Sequence, residues 1–517
     1  MIIKESALKK GLPKMTGSIC PECGKIIEAE IRQEGKKVVM FKTCSEHGDF
    51  KDTYWSDVDL YLKAERFAYD GIGVENPKIK DAKVCPEACG LCNLHLSHTA
   101  LANLDLTNRC NLRCPICFAN ANQAGYVYEP SFEQHVEMMK MLRAQKPVPT
   151  PAIQFAGGEP TIYPRFFDVI AKARELGFPQ IQVATNGIKM AEEPGFTQKM
   201  LDAGMHTVYL QFDGLREENY IAARGRPLLD VKLKAIESVK KTTPTQMSVV
   251  LVPTIVKGMN NDQVGEIVKF AIKHRRVVRS VNFQPVAFTG RIDQKEREAG
   301  RYTLPDLIED LAQQTDFATK EDWYNVPSVT PVSELLSVLD NDPKVAFTSH
   351  PHCGMATFLF IDKNEKVTPI TRFVDVEGLM EDLLKLAHES EGAMFKFPTK
   401  LKAFNTLKRH MIAENIPEGM TSTKFLKLLG GIFSDSSKAK LADFTWSLMM
   451  VGGMHFQDAY NYDIERVKRC VIHYAVPDGR IIPFCAYNGG PTYRTEVEKK
   501  FSVPLAEWKA KHGSENV

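Results

Sequence analysis

No stretch of this sequence approaches the roughly 18 to 20 consecutive apolar residues that span a bilayer, so no helical membrane crossing is expected within it. Long runs of one charge are missing as well. The 66 basic residues stand against 64 acidic ones, the formal net charge is +2, and the basic clusters are short. A nucleic-acid footprint needs a basic stripe, so nucleic acid is not an expected partner. The opening segment MIIKESALKKGLPKM has no continuous apolar core of the secretory type, which points to a cytoplasmic protein. Internal repeats and low-complexity segments are absent too.

What the chain has is length and cysteine. At 517 residues it exceeds the size at which single cores stop growing, so a catalytic domain with smaller appended modules is expected. Its 12 cysteines mostly lie two or three residues apart, which in a long chain without a leader favours metal binding over disulfides. They fall into four trios: Cys20, Cys23 and Cys44; Cys85, Cys89 and Cys92; Cys110, Cys114 and Cys117; and the dispersed Cys353, Cys470 and Cys485. Several oxygen-sensitive iron clusters in one chain would suit an anaerobic or strongly reducing cell.

Between about residues 100 and 290, strand-like runs alternate with helical patterns, which predicts successive βα units on a parallel sheet. The strand candidates are LANLDLT, AIQFAGG, IQVATNG, TVYLQFDG, MSVVLVPTIV and VRSVNFQPVA. Helices are expected over 132–144, with Val136, Met139 and Leu142 on one face, and over 164–176. The fold class is therefore α/β, a partial (β/α)6 barrel, with an N-terminal metal-binding module and a C-terminal, mainly helical auxiliary-cluster region. The domain boundaries read as 1–60, 61–99, 100–295 and 296–517. The last of these ends in a strand-like stretch, VIHYAVPDGRIIPFCAY.

The segment DLTNRCNLRCPICF sets C-x3-C-x2-C directly after a strand, placing Cys110, Cys114 and Cys117 on one tight loop. Three thiolates suit a [4Fe-4S] cluster with one iron left open for a chelating ligand, while a zinc knuckle or a cluster completed by a distant cysteine is the plainer reading. At the end of the next strand stands Gly157-Gly158-Glu159-Pro160, whose glycines allow close backbone approach and whose carboxylate can meet an ammonium. With both motifs in this order, the chain resembles the radical S-adenosylmethionine superfamily. That resemblance implies that Glu159 binds the methionine amino group. It also places Asn186, Asp213 and Asn260 at strand ends that contact the cofactor's polar groups, although each is equally a turn former. The superfamily often has an aromatic residue before the last cluster cysteine, where this chain has Ile116, followed by Phe118. The implied chemistry begins with one electron from the cluster, which cleaves the sulfonium to methionine and a 5′-deoxyadenosyl radical able to take hydrogen from unactivated carbon.

The remaining trios suggest further metal. Cys85, Cys89 and Cys92 repeat the loop spacing and read as an auxiliary [4Fe-4S] cluster, with His95, His98, a distant cysteine or substrate as fourth ligand, or as a zinc site using one of those histidines. Cys20, Cys23, Cys44 and His47 form a zinc-ribbon or rubredoxin-like pattern for zinc or mononuclear iron, with a structural or electron-relay role. Cys353, Cys470 and Cys485 are either buried free cysteines or a second auxiliary cluster, and their settings HPHCGM and GRIIPFCAY favour the cluster.

Over its whole length, through CPEC, CSEHG, CPEACGLCNLH, GGEPT and HPHCGM, the chain also resembles the archaeal tetraether lipid synthase family. This implies carbon–carbon coupling of the terminal methyls of phytanyl chains, a diether lipid substrate, a low-potential donor such as ferredoxin, and contact with the inner face of the cell membrane. The apolar stretches 426–433 and 444–456 fit a hydrophobic tunnel or membrane-touching surface, or else ordinary helical core. The alternative for similar proteins is methylation of 7,8-dihydro-6-hydroxymethylpterin in methanopterin synthesis, for which a compact polar pocket is expected.

Overall fold

A computed structural model describes residues 3–290, 297–393, 397–421, 423–425, 448–490 and 493–513. Its centre is a run of six parallel strands in chain order: Leu101–Thr107, Ala152–Gly157, Gln180–Thr185, Thr207–Gln211, Ser248–Val252 and Val278–Pro285. These are the six barrel strands expected from the sequence. Helices Phe132–Arg143, Phe166–Glu175, Phe196–Ala203, Leu229–Lys240 and Val264–Lys273 connect them. The first of these helices begins at a capping box between Ser131 and Gln134, which satisfies amides that a helix start leaves open.

Side chains alternate across a strand, so each barrel strand has two different faces. One face carries Leu104, Phe155, Val183, Leu210, Leu251 and Phe283, all fully buried in the main core beneath the helices. The other face carries Asn103, Gln154, Gln182, Tyr209, Gln211, Asn282 and Gln284 toward the barrel interior, and all but Gln182 line its cavity. Apolar burial thus fixes the register, and the amide-bearing face is left for a ligand.

The C-terminal part is mainly helical over Leu304–Gln314, Thr330–Asp340, Val376–Glu389 and Phe397–Arg409, yet it also extends both edges of the sheet. Leu448–Met454 pairs parallel with the sixth barrel strand and antiparallel with Gly354–Ile361. Ile472–Ala475 pairs parallel with the first. The apolar stretch 444–456, expected as helix, tunnel or membrane surface, is therefore a strand over Leu448–Met454, and Met449 and Val451 lie in the sheet core. Its partners are far away in sequence, which local periodicity does not reveal. The stretch 426–433 lies outside the described residues. Among the described residues, no helix is long and apolar enough to cross a membrane.

Residues 14–55 form a separate antiparallel sheet of four strands, Lys14–Ile19, Ile26–Glu34, Lys37–Cys44 and Gly48–Trp55. It is fastened to the C-terminal part by polar contacts. Thr16 and Tyr54 donate to Asp463 at 2.7 and 2.8 Å, and the buried Lys42 ammonium donates to the Ala459 carbonyl at 2.7 Å. Buried Arg301 bridges Asp52 and Asp458, and Asp458 accepts the Phe288 amide at 2.9 Å.

Candidate active site

The cysteine loop leaves the end of the first barrel strand and is bolted to the glycine-rich turn that ends the second. The Gly158 amide donates to the Thr107 carbonyl at 2.8 Å, and the Glu159 amide donates to that of Arg109 at 2.9 Å. A Cβ at Gly157 would stand 2.2 Å from the Thr107 oxygen, and one at Gly158 would stand 2.3 Å from the Arg109 oxygen. Only glycine lets the two chains approach this closely. Asn122 closes the loop from within, accepting the Cys110 amide at 3.0 Å and donating to the Cys110 and Leu112 carbonyls.

Cys110, Cys114, Cys117, Gly157, Gly158, Glu159 and Asn186 all line one cavity of about 400 Å³ at the mouth of the barrel. Burial, followed by the Glu159 charge, pushes the Cys110 thiol well above its ordinary range, and burial also raises Cys114. Buried thiols without a cation stay protonated, so a loop of this kind becomes a thiolate ligand set only against positive charge. A three-thiolate loop beside a buried carboxylate fits a cluster with one open iron.

Glu159 is buried and held from both oxygens. Oε1 accepts from the Thr161 amide at 3.1 Å and from the hydroxyls of Thr161 and Thr185 at 2.5 and 2.7 Å, while Oε2 accepts the Asn186 amide at 2.8 Å. Pro160 is buried at the start of the short 3-10 turn that Glu159 caps. Asn186 is both a cavity residue and a turn former, since its Oδ1 accepts the Ile188 amide at 3.0 Å and its Nδ2 donates to Asn111 at 2.7 Å.

The structure places the other two strand-end residues away from the cavity surface. Asp213 is fully buried and takes a two-pronged ion pair from Arg224 at 2.7 and 2.8 Å. Asn260 is buried as a peg, accepting the Val256 amide and donating to the carbonyls of Asp213 and Thr254. Their polar atoms are therefore engaged within the protein. Arg224, which the sequence reading passed over, lines the cavity and donates to the Ile116 carbonyl of the cluster loop at 2.9 Å. The carboxamide lining was also missed. Its signal was an Asn, Gln or Tyr at one or two alternate positions in five of the six strands, opposite the apolar face.

Members of two cysteine trios far apart in sequence meet beside this cavity, where Cys85, Cys89, Cys470 and Cys485 pack into one cluster with Phe456 and Phe484. Burial pushes the Cys85 thiol up to about 12 and the Cys89 thiol higher, and charge on Cys85, Cys92 and Cys470 adds to the rise at Cys89. Burial, followed by Cys485 and Cys353, raises the Cys470 thiol as well. His95 and His98 are not free to complete a site through Nε2. That atom of His95 lies 2.8 Å from the Cys470 carbonyl and 3.1 Å from His473, and that of His98 accepts the Ala346 amide at 3.0 Å. Burial lowers both histidines to about 4, so they stay neutral.

In the antiparallel module, one ligand atom from each of Cys20, Cys23, Cys44 and His47 lies within 4.8 Å of every other. The Cys44 thiol is drawn down to about 6, first by the Glu46 backbone N–H and then by His47. We expect Cys23→Ser to remove one metal ion per chain and to lower the melting temperature while the cluster's visible absorption persists. Metal analysis with a thermal scan checks this, and full metal retention would count against this ligand set.

The Radical SAM superfamily profile matches residues 104–271, and the HMPTM N-terminal zinc ribbon domain matches residues 12–56. Barrel, cysteine loop and profile together define a radical S-adenosylmethionine enzyme, whose cofactors are S-adenosylmethionine and a [4Fe-4S] cluster. Within that superfamily the chain belongs to the family of the 7,8-dihydro-6-hydroxymethylpterin dimethyltransferase of Methanocaldococcus jannaschii. The two are 48% identical over 505 residues, covering 97% of this chain and 98% of the relative. The GTP 3′,8-cyclase of Thermodesulfovibrio yellowstonii is 27% identical over 59% of this chain and 95% of its own length. Among solved structures, SuiB of Streptococcus suis bound to S-adenosylmethionine aligns at a TM-score of 0.33, with 17% identity over 44% of this chain and 51% of that one.

The near full-length relationship overturns the expectation of a tetraether lipid synthase, and with it the diether lipid partner. The cysteine motifs that suggested that family specify metal chemistry and carry no information about the substrate.

Proposed function

We propose that this chain is a radical S-adenosylmethionine methyltransferase acting on 7,8-dihydro-6-hydroxymethylpterin. The relative's activity is one support. The structural observation that carries the reading is the barrel lining, where Asn103, Gln154, Gln211, Asn282 and Gln284 offer neutral amide donors and acceptors to the cavity. A flat, uncharged heterocycle with an amide edge can add hydrogen bonds to the free N–H and lone-pair positions of such a surface, whereas a phytanyl chain offers none. Phe456 and Phe484, stacked with ring centroids 4.0 Å apart, give the same cavity an aromatic wall.

In this reading Cys110, Cys114 and Cys117 hold the cluster, which when bound supplies the electron that cleaves S-adenosylmethionine, drawn from a ferredoxin-type donor. Gly157 and Gly158 bring the backbone close to the cofactor, Glu159 receives its ammonium, and Pro160 and Asn186 shape the surrounding turn. Leu112, Ile116 and Phe118 keep water from the mouth of the barrel. Cys85, Cys89 and Cys92 hold one auxiliary cluster, and Cys353, Cys470 and Cys485 a second. Cys20, Cys23, Cys44 and His47 hold the ribbon metal.

The test is mass analysis of the pterin after anaerobic turnover with dithionite and S-adenosylmethionine. We expect products in which first one and then a second hydrogen is exchanged for methyl. A reduced enzyme that cleaves the cofactor but returns the pterin unchanged would refute the substrate.

A further inference from the structure

Two hydrogen-bonded chains of side chains run across the interior face of the barrel. In the first, Gln182 donates to Gln154 at 2.7 Å and Gln154 donates to Asn103 at 2.7 Å, so each carboxamide is oriented by the next. In the second, Asn282 donates through Nδ2 to the Tyr209 hydroxyl oxygen, and Gln284 lines the same wall two residues further along the strand. A phenol has one proton to give and two lone pairs to receive with. With the Asn282 amide donating to its oxygen, Tyr209 keeps its proton, and no acceptor for that proton is found among the described residues. The Tyr209 side chain forms part of the wall of the cavity. Burial pushes the phenol up to about 12, so it is a neutral donor near pH 7.

We propose that Tyr209 is the substrate-binding residue that sets the orientation of the heterocycle, donating its phenolic hydrogen to a ring-nitrogen or carbonyl acceptor while the Gln154 and Asn103 amides meet the amide edge. This rests on the pterin reading above and adds which groups recognise the ring. Asn282, whose amide donates to the Tyr209 oxygen, acts as a positioning residue. By occupying a lone pair it restricts the directions open to the hydroxyl hydrogen, so the donor is oriented before the ligand arrives.

The test is titration of the unreduced, cluster-loaded full chain with 7,8-dihydro-6-hydroxymethylpterin, followed by ligand fluorescence. Loss of one hydrogen bond inside a water-poor cavity corresponds to about a tenfold rise in Kd for Tyr209→Phe. Asn282→Leu leaves the donor in place and frees it to turn, so a smaller rise of about threefold is expected. Affinity for S-adenosylmethionine should stay within about twofold in both, which separates a local effect from misfolding. Equal pterin affinity in wild type and Tyr209→Phe would overturn the assignment while the substrate reading stands. If the wild type itself fails to bind the pterin, the substrate reading falls and takes the assignment with it.

Discussion

Cys114→Ala protein, purified and reconstituted without oxygen, is expected to contain about four fewer irons per chain than wild type and to cleave no detectable S-adenosylmethionine. Cys114 is the informative member of its trio. Cys110 is buried and its sulfur also accepts the Leu112 amide at 3.4 Å, so removing it disturbs the loop as well as the ligand set. Cys114 is half-buried, and the loop around it is fixed by the Asn122 clamp, by Arg224 and by the Thr107 and Arg109 backbone contacts. The fold should therefore survive, with an unchanged circular dichroism spectrum and an intact ribbon metal. Iron content equal to wild type would show that the cluster is held elsewhere.

The parts of this protein that were legible from sequence are those set by local chemistry. Six strands announced themselves because Leu104, Phe155, Val183, Leu210, Leu251 and Phe283 recur on one side of short β-rich runs. The cluster loop and Gly157-Gly158-Glu159 were legible because their spacing reflects a backbone contact made within a single βα unit. Asp213 and Asn260 were harder. A strand-end carboxylate looks the same whether it meets a ligand or an arginine, and its Arg224 partner is named only by the fold. The outer strands Gly354–Ile361 and Leu448–Met454 depend on pairing between distant segments, so a Met-rich apolar run was as good a helix as a strand. The substrate was least legible. In the proposed reading it meets the face of the strands that apolar periodicity treats as empty, and the amides on that face share one cavity only when six strands curl around it.

The second large effect is expected at the Asp213–Arg224 pair. The Asp213 side chain is fully buried and that of Arg224 is 10% exposed, so Asp213→Asn leaves a guanidinium charge without its counter-charge inside the protein. Breaking one side of a buried pair costs about 3–5 kcal/mol, because the surviving ion keeps its desolvation penalty and loses the attraction that offset it. In a chain of this size that corresponds to a fall of about 5 °C in apparent melting temperature. Arg224 also reaches the Ile116 carbonyl and the Thr254 hydroxyl, and Asp213 accepts the Thr254 amide at 3.2 Å, so the loss is transmitted to the cluster loop. Poorer cluster reconstitution should accompany the lower stability. Asp213→Asn combined with Arg224→Met removes both charges, and stability should recover most of the way toward wild type while loop order does not. Differential scanning calorimetry with iron analysis reads both quantities. A single Asp213→Asn change that leaves melting and iron content at wild-type values would mean that Arg224 keeps its place through the Ile116 and Thr254 contacts alone.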